Sequence, residues 1–501
     1  MKIKKNGMSI IFNLLMLIHI LCFSGCEIGT VESNSNREIT ETPEEVIETP
    51  EEVIEIPEEE EVIQTPGKWE GDLTFASQEV NTFSVRKSGG MSVPESLEYK
   101  VGDGEWRKIK LWTDISFGGD LGDLVIRGKS REGTAESFKK YLKFYFGGTS
   151  LVSCTGDIRG IVDYENPTTT DTSNARFCSL FEDCKTLISA PALPATDLAD
   201  YCYSSMFYGC VLLTSAPALI SQKLSYACYQ RMFDGCTSLT NPPSLSAKTM
   251  TSYCYYGMFK DCTSLTTAPA LPATQLASAC YMRMFYGCTS LTSAPVLSAT
   301  QLFSYCYADM FRDCVSLTSA PALPASQLDS YCYSFMFYGC TSLINTPVLS
   351  ATQLFPYCYK NMFYGCTSLT SAPVLPAQRM VSSCYSGMFQ ECTSLISGPA
   401  LPATTLASYC YSGMFDGCIS LTSAPVLPAT KLASACYHHI FSGCKKLKEI
   451  TMLATDIDNL SVWLSNAGTE VTGTKTVYVA NGMVDLVKNT VETDWNVQVI
   501  Q

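Results

Sequence analysis

The cysteines are the residues of this chain whose type and spacing could do chemistry. They recur at Cys202, Cys228, Cys254, Cys280, Cys306, Cys332, Cys358, Cys384, Cys410 and Cys436, and each is followed eight residues later by another, from Cys210 through Cys444. Four chemistries compete for such pairs: metal ligation, nucleophilic catalysis, disulfide bonding, and a packed wall of small side chains. Structural zinc sites favour cysteine pairs about two to four residues apart, often with histidine. Here the interval is eight and the whole chain has three histidines. A nucleophile needs a base repeated beside it, and none recurs. On a helix, eight residues span about 12 Å, too far for a disulfide within one unit, whose Cα atoms must approach to about 7 Å. Bridges between neighbouring units stay geometrically open. The favoured reading is a wall: buried thiols stacked in ladders. No cofactor or metal is expected, and no catalytic residues.

The elements that would position this wall follow from the period. The interval between equivalent cysteines is 26 residues over ten units, with an atypical unit in front carrying Cys178 and Cys184. Repetition at a fixed period implies an array in which each unit packs on its neighbours. Through one unit, Leu406, Cys410, Tyr411, Met414, Phe415, Cys418 and Leu421 fall at steps of about four, which predicts a short amphipathic helix. Thr404 would cap it, as would the Thr or Ser at 196, 274, 300, 326, 352 and 430, and Gly417 would end it. The following "SLTSAPVL" predicts a short strand. Proline recurs at Pro217, Pro243, Pro269, Pro295, Pro321, Pro347, Pro373, Pro399 and Pro425, and proline lacks the N–H of a ladder, so strands of three or four residues are expected. The fold class expected is an α/β leucine-rich-repeat-like solenoid of short parallel strands and short helices, preceded by a small all-β domain. The Met-Phe pairs and the Tyr after each first cysteine, from Tyr203 through Tyr437, should line the core, with the phenol hydroxyls at its edge. Recognition would then fall to the varying pair after that Tyr, as at Arg231, Tyr256, Phe335 and His438, and to the Thr and Ser around the strand; no individual ligand-binding residue is assigned.

Outside the array the texture changes. Residues 1–25 have Lys2, Lys4 and Lys5 before an apolar run from Ile10 to Leu21, the pattern of an export signal with a core too short for a membrane span. Its end, "FSGC", resembles the lipobox of bacterial lipoproteins, which implies lipid attachment at Cys26; an ordinary secretory peptide is the alternative. Residues 26–67 form an acidic, Pro- and Glu-rich tether: Arg37 to Glu61 holds twelve Glu and one Arg, a net of −11. The whole chain carries −14, yet Cys202 to Cys444 holds nine Lys or Arg against seven Asp or Glu, a net of +2. Nothing clusters cations as a nucleic-acid surface requires. Residues 68–165 alternate apolar and polar residues between Gly-rich turns, which predicts an antiparallel β domain whose Cys154 is a buried thiol.

"MFYGCTSLTSAPVLPAQ" and its relatives resemble the units of BspA-like leucine-rich repeat surface proteins, over about 177–450. The tail 451–501, with "VYVANGMVDLVKNTVETDWNVQVIQ", is similar to the closing region of such arrays, Trp495 standing in the closing position. The resemblance implies a non-enzymatic cell-surface lipoprotein, an adhesin or protein-interaction scaffold at the outer membrane or cell surface. A host extracellular-matrix protein or another bacterial surface component would be its partner. The alternative is a glycan-binding or structural surface-layer protein.

Overall fold

The computed structural model describes residues 70–500; the expected signal peptide, Cys26 and the tether lie outside the described residues. Alternation of apolar and polar side chains builds two antiparallel sheets at the N-terminal end. One has the order β4-β3-β6-β1-β9, from β1 (Leu73–Ala76), β3 (Glu98–Val101), β4 (Arg107–Lys108), β6 (Leu124–Arg127) and β9 (Ser153–Thr155). The other has the order β5-β2-β8-β7, from β2 (Asn81–Ser88), β5 (Ile115–Phe117), β7 (Ala135–Ser137) and β8 (Lys140–Phe146). Leu142, Phe144 and Phe146 of β8 point inward with Phe75 and Phe83. A short helix α1 (Arg159–Asp163) follows, anchored by the buried Asp157–Arg159 ion pair at 2.6 Å.

The sheets pass into the array without a break in the apolar core. The Phe144 ring lies 5.6 Å from Phe181, Phe181 stacks on Phe207 at 5.3 Å, and one connected cluster runs from Leu73 to Val497. Backbone continuity accompanies it, since Phe144 N–H donates to Leu180 O at 2.7 Å.

The repeat unit contains no helix among the described residues. Where a helix is expected, the chain makes consecutive four-residue turns, and every fourth residue is left-handed: in the unit 305–314, Tyr305, Asp309 and Asp313 have φ of 61°, 54° and 59°. Alternate amides divide their bonds between two partners. Cys306, Ala308, Met310, Arg312 and Cys314 donate to the carbonyl three residues back, at 3.1–3.2 Å. Tyr305, Tyr307, Asp309, Phe311 and Asp313 donate to the next unit's Ser330, Cys332, Ser334, Met336 and Tyr338, at 2.7–3.1 Å. A helix directs all these amides to i−4 and leaves none for a neighbour. The four-residue period also explains the side chains: two go in and two go out at each turn, so Cys306, Tyr307, Met310, Phe311 and Cys314 are buried. A 3.6-residue helix would rotate that stripe steadily off the core. Thr404 and its equivalents therefore have no helix to cap, and Gly417 closes a turn with φ 75°.

The expected three- or four-residue strands are likewise reduced. Between units the extended segments meet in isolated parallel bridges such as Ser319↔Asn345 and Ser371↔Ser397, two residues before the proline. The missing proline N–H stops the ladder there. Regular parallel pairing begins only past the last proline of the array, where β10 (Glu449–Met452), β11 (Lys475–Val479) and β12 (Trp495–Val499) align in that order, with helix α2 (Val484–Lys488) between the last two. Trp495 is 5% exposed beneath the buried Lys475 ammonium, 5.0 Å from its ring centroid. The turn column itself ends on a different residue: Phe441 N–H donates to Trp463 O, and the fully buried Trp463 donates its indole N–H to Thr490 Oγ1 at 3.2 Å.

Candidate functional site

Inside the turn column, the aromatic rings are stacked ladders. Tyr307 and Tyr333 lie 5.9 Å apart, Phe311 and Phe337 5.7 Å apart, with interplanar angles of 12° and 6°. The phenol oxygens of Tyr203, Tyr385, Tyr411 and Tyr437 do not reach the edge of the core as expected. They are buried without a hydrogen-bond partner among the described residues. Every cysteine among the described residues, Cys154 included, is buried and unbridged. The second cysteine of each unit has a specific contact: Cys314 Sγ donates to Phe285 O and Cys340 Sγ to Phe311 O, both at 3.0 Å, and the pattern recurs from Cys210 to Cys444. Burial pushes the thiols up, to about 12 at Cys254 and Cys332, and holds Cys314 well above the ordinary thiol value. They stay protonated at neutral pH, and a protonated thiol is neither a nucleophile nor a metal ligand. No group of three or more His, Cys, Asp or Glu among the described residues is arranged to hold a metal ion.

Two outward surfaces remain. The first is the outer side of the turn column, where the varying positions fall. Arg231 Nε donates to Asp234 Oδ2 at 2.7 Å and its guanidinium lies 4.7 Å from the Tyr208 ring centroid, while Lys260 reaches the same Asp234 at 3.4 Å. Two units on, Arg283 and Arg312 hold Asp309 from either side, at 3.3 and 3.1 Å, and Arg283 also donates to Tyr256 Oη. Arg312 then stacks 4.2 Å over Tyr338, which lies 4.4 Å from Tyr364 and 6.1 Å from Phe335. Arg231 thus belongs to the Asp234 group, while Tyr256 and Phe335 join the Asp309 group through Arg283 and Arg312, and in both groups the carboxylate is already paired. His438 stands apart, edge-on to His439 at 4.1 Å, and burial shifts its imidazole toward the neutral form.

The second surface is the extended half of the unit. The residues just after its proline alternate between solvent and core, so Leu297, Leu349 and Leu375 are buried while Val296, Val348 and Val374 are 75%, 80% and 78% exposed. Each valine follows a proline, and Ile344 and Ile396 are exposed at an equivalent place four residues earlier. A shallow groove between two adjacent units, lined by Leu401, Pro402, Pro425, Val426 and Pro428 among others, has a volume of about 300 Å³. Isolated exposed apolar residues are ordinary, whereas a row of them at one register marks a contact surface. Sequence reading missed this row because the alternation that exposes it is confined to a segment too short to show a period.

Compared with known proteins, residues 200–343, 274–396 and 306–448 match the model of the BspA type leucine rich repeat region, in 6 copies. Among solved structures, the chain is similar to the pneumococcal vaccine antigen PcpA, at 15% identity and a TM-score of 0.34, over 66% of this chain and 78% of that one. It is also similar to TLR13 in its complex with ssRNA13, at 14% identity and a TM-score of 0.21, over 59% of this chain and 48% of that one. No curated protein matches.

Proposed function

With residues 200–448 established as a BspA type leucine rich repeat region, we propose that the protein is a cell-surface adhesin or interaction scaffold that binds a protein partner along the extended half of its solenoid. The observation that supports this reading is the row of exposed Val296, Val348 and Val374 at equivalent positions of the array. Contacts too weak to hold a partner singly add up when they repeat along one rigid surface. The near-neutral array gives little long-range steering, so affinity should fall only modestly with added salt. A host matrix protein or another bacterial surface component is the partner class proposed, and lipid attachment through Cys26 is the proposed anchor, holding the folded part beyond the acidic tether.

Two experiments test the proposal. The triple variant Val296→Asp, Val348→Asp, Val374→Asp should lose matrix-protein binding by about tenfold or more with an unchanged melting temperature; unchanged binding removes the surface from the account. Separately, Cys26→Ala should shift the protein out of the membrane fraction. Full retention there rules out the anchor.

A further inference from the structure

A cleft of about 580 Å³ lies at the opposite end of the molecule, where the outer face of β2 and β8 meets the first unit of the array. Pairing of Arg86 with Lys143, Ser84 with Tyr145 and Ser88 with Tyr141 puts these side chains on the side of the sheet away from Val85, Leu142 and Phe144. Trp112 forms one wall, and Asp183, Lys185 and Thr186 the other. The volume is that of a small-molecule site.

Three observations bear on the occupant. Trp112 is 62% exposed and has φ 58°, the one non-glycine residue with positive φ between 70 and 178. A bulky side chain held in that conformation without burial is strain retained for something other than packing. Its position is fixed by donation of its N–H to Val85 O at 3.0 Å. Next, the Arg86 guanidinium lies 3.1 Å over the Tyr145 ring and 5.8 Å from that of Trp112, with its Nε buried and lacking a hydrogen-bond partner among the described residues. Finally, the lining carries Arg86, Lys87, Lys143 and Lys185 against Asp183, a net of +3 in a chain of net −14. Lys143 is occupied by Asp183 at 2.9 Å and Glu182 at 3.7 Å, whereas Arg86, Lys87 and Lys185 form no ion pair within the described residues.

The exposed Trp112 indole offers flat apolar area to the C–H face of a pyranose ring, while the Tyr145 ring backs the Arg86 guanidinium that covers it. The Ser88 hydroxyl suits a ring hydroxyl, the Tyr141 hydroxyl, which donates to Glu182 Oε2 at 2.9 Å, can still accept from one, and the arginine plane matches a carboxylate. We propose that this cleft binds an acidic saccharide, with Trp112 as the stacking platform and Arg86 as the carboxylate contact. The site is independent of the array surface, so either can fail without the other.

The test is calorimetric titration of the full-length protein with a galacturonic acid tetrasaccharide, with a neutral galactose tetrasaccharide for comparison. Saturable binding of the acidic probe alone is expected. Arg86→Gln and Trp112→Gly should each weaken it by about tenfold or more. Glycine adopts the Trp112 backbone conformation freely, so Trp112→Gly should keep or raise the melting temperature, separating lost binding from lost fold. The Val296, Val348, Val374 triple variant should bind the saccharide as the parent does. Absence of binding, equal binding of the neutral probe, or a fully binding Trp112→Gly protein each overturns the proposal.

Discussion

The two halves of one repeat differ more from each other than any unit differs from the next. From Tyr305 to Cys314, each amide is bonded, half of them to the neighbouring unit, and the inward side chains Cys306, Tyr307, Met310, Phe311 and Cys314 are buried. From Thr318 to Ser326 the chain meets its neighbours in single bridges, is interrupted by Pro321, and keeps half of its side chains in water. The first half carries cohesion and the second presents surface. Separation of this kind lets a solenoid vary its exposed row without disturbing the register that holds the units together.

The sharpest way to break this comparison is through the thiols, all of which in the array belong to the cohesive half. Their folded values are raised by burial, so the stability they contribute is fully present below the ordinary thiol value near ~8.5 and is lost as pH rises toward the folded values, about 12 at Cys254 and Cys332. Every thiol kept protonated in that window opposes the folded state, and the array holds many of them acting in the same direction. Under reductant, raising the pH from neutrality to about 10 should lower the melting temperature by on the order of 20 °C or unfold the array outright. An unchanged melting temperature means the thiols are not buried in the folded state.

Single substitutions in the column rank below that. Phe311→Ala opens a cavity within a ladder and should destabilise by about 3–5 kcal/mol in denaturant titration, whereas Val374→Thr in the exposed row should stay within about 0.5 kcal/mol of the parent. Equal effects would erase the distinction between the halves. Asp309→Ala leaves Arg283 and Arg312 without their shared carboxylate and should cost about 1–3 kcal/mol; a neutral result would make this outer group decorative. The smallest expected change has the opposite sign. Tyr411→Phe removes a buried hydroxyl that has no partner among the described residues and should stabilise by about 1 kcal/mol, and a loss of stability would reveal a partner for that hydroxyl.

Much of this was legible in the sequence through its period. The inward ladders of Cys, Tyr, Met and Phe follow directly from residues repeated every 26 positions, and a solenoid follows from the ladders. The helix did not follow, because steps of about four between Cys410, Met414 and Cys418 suit both a helix and a series of four-residue turns. Only the destination of the amides separates the two, and it depends on the neighbouring unit. The left-handed positions were partly visible as Gly209, Gly235, Gly287 and Gly339, but Tyr305 and Ala279 hold the same conformation without advertising it. Trp495 drew attention as the closing residue, while Trp463, in "SVWLSNAG", ends the turn column at a shorter interval. The cleft at Trp112 was hidden because Arg86 and Lys143 lie far apart in sequence and meet only through antiparallel pairing. An exposed Trp in the polar stretch "KLWTD" was the signal available.

Hydrogen exchange resolved along the array tests the central claim most directly, since it compares the two halves of a single unit in one experiment. Amides of Tyr305 to Cys314 and their equivalents should be protected to the limit set by global unfolding, and those of Thr318 to Ser326 should exchange orders of magnitude faster. Equal protection of the two segments, or fast exchange of Tyr307, Asp309 and Phe311, would contradict a solenoid held together by its turn column.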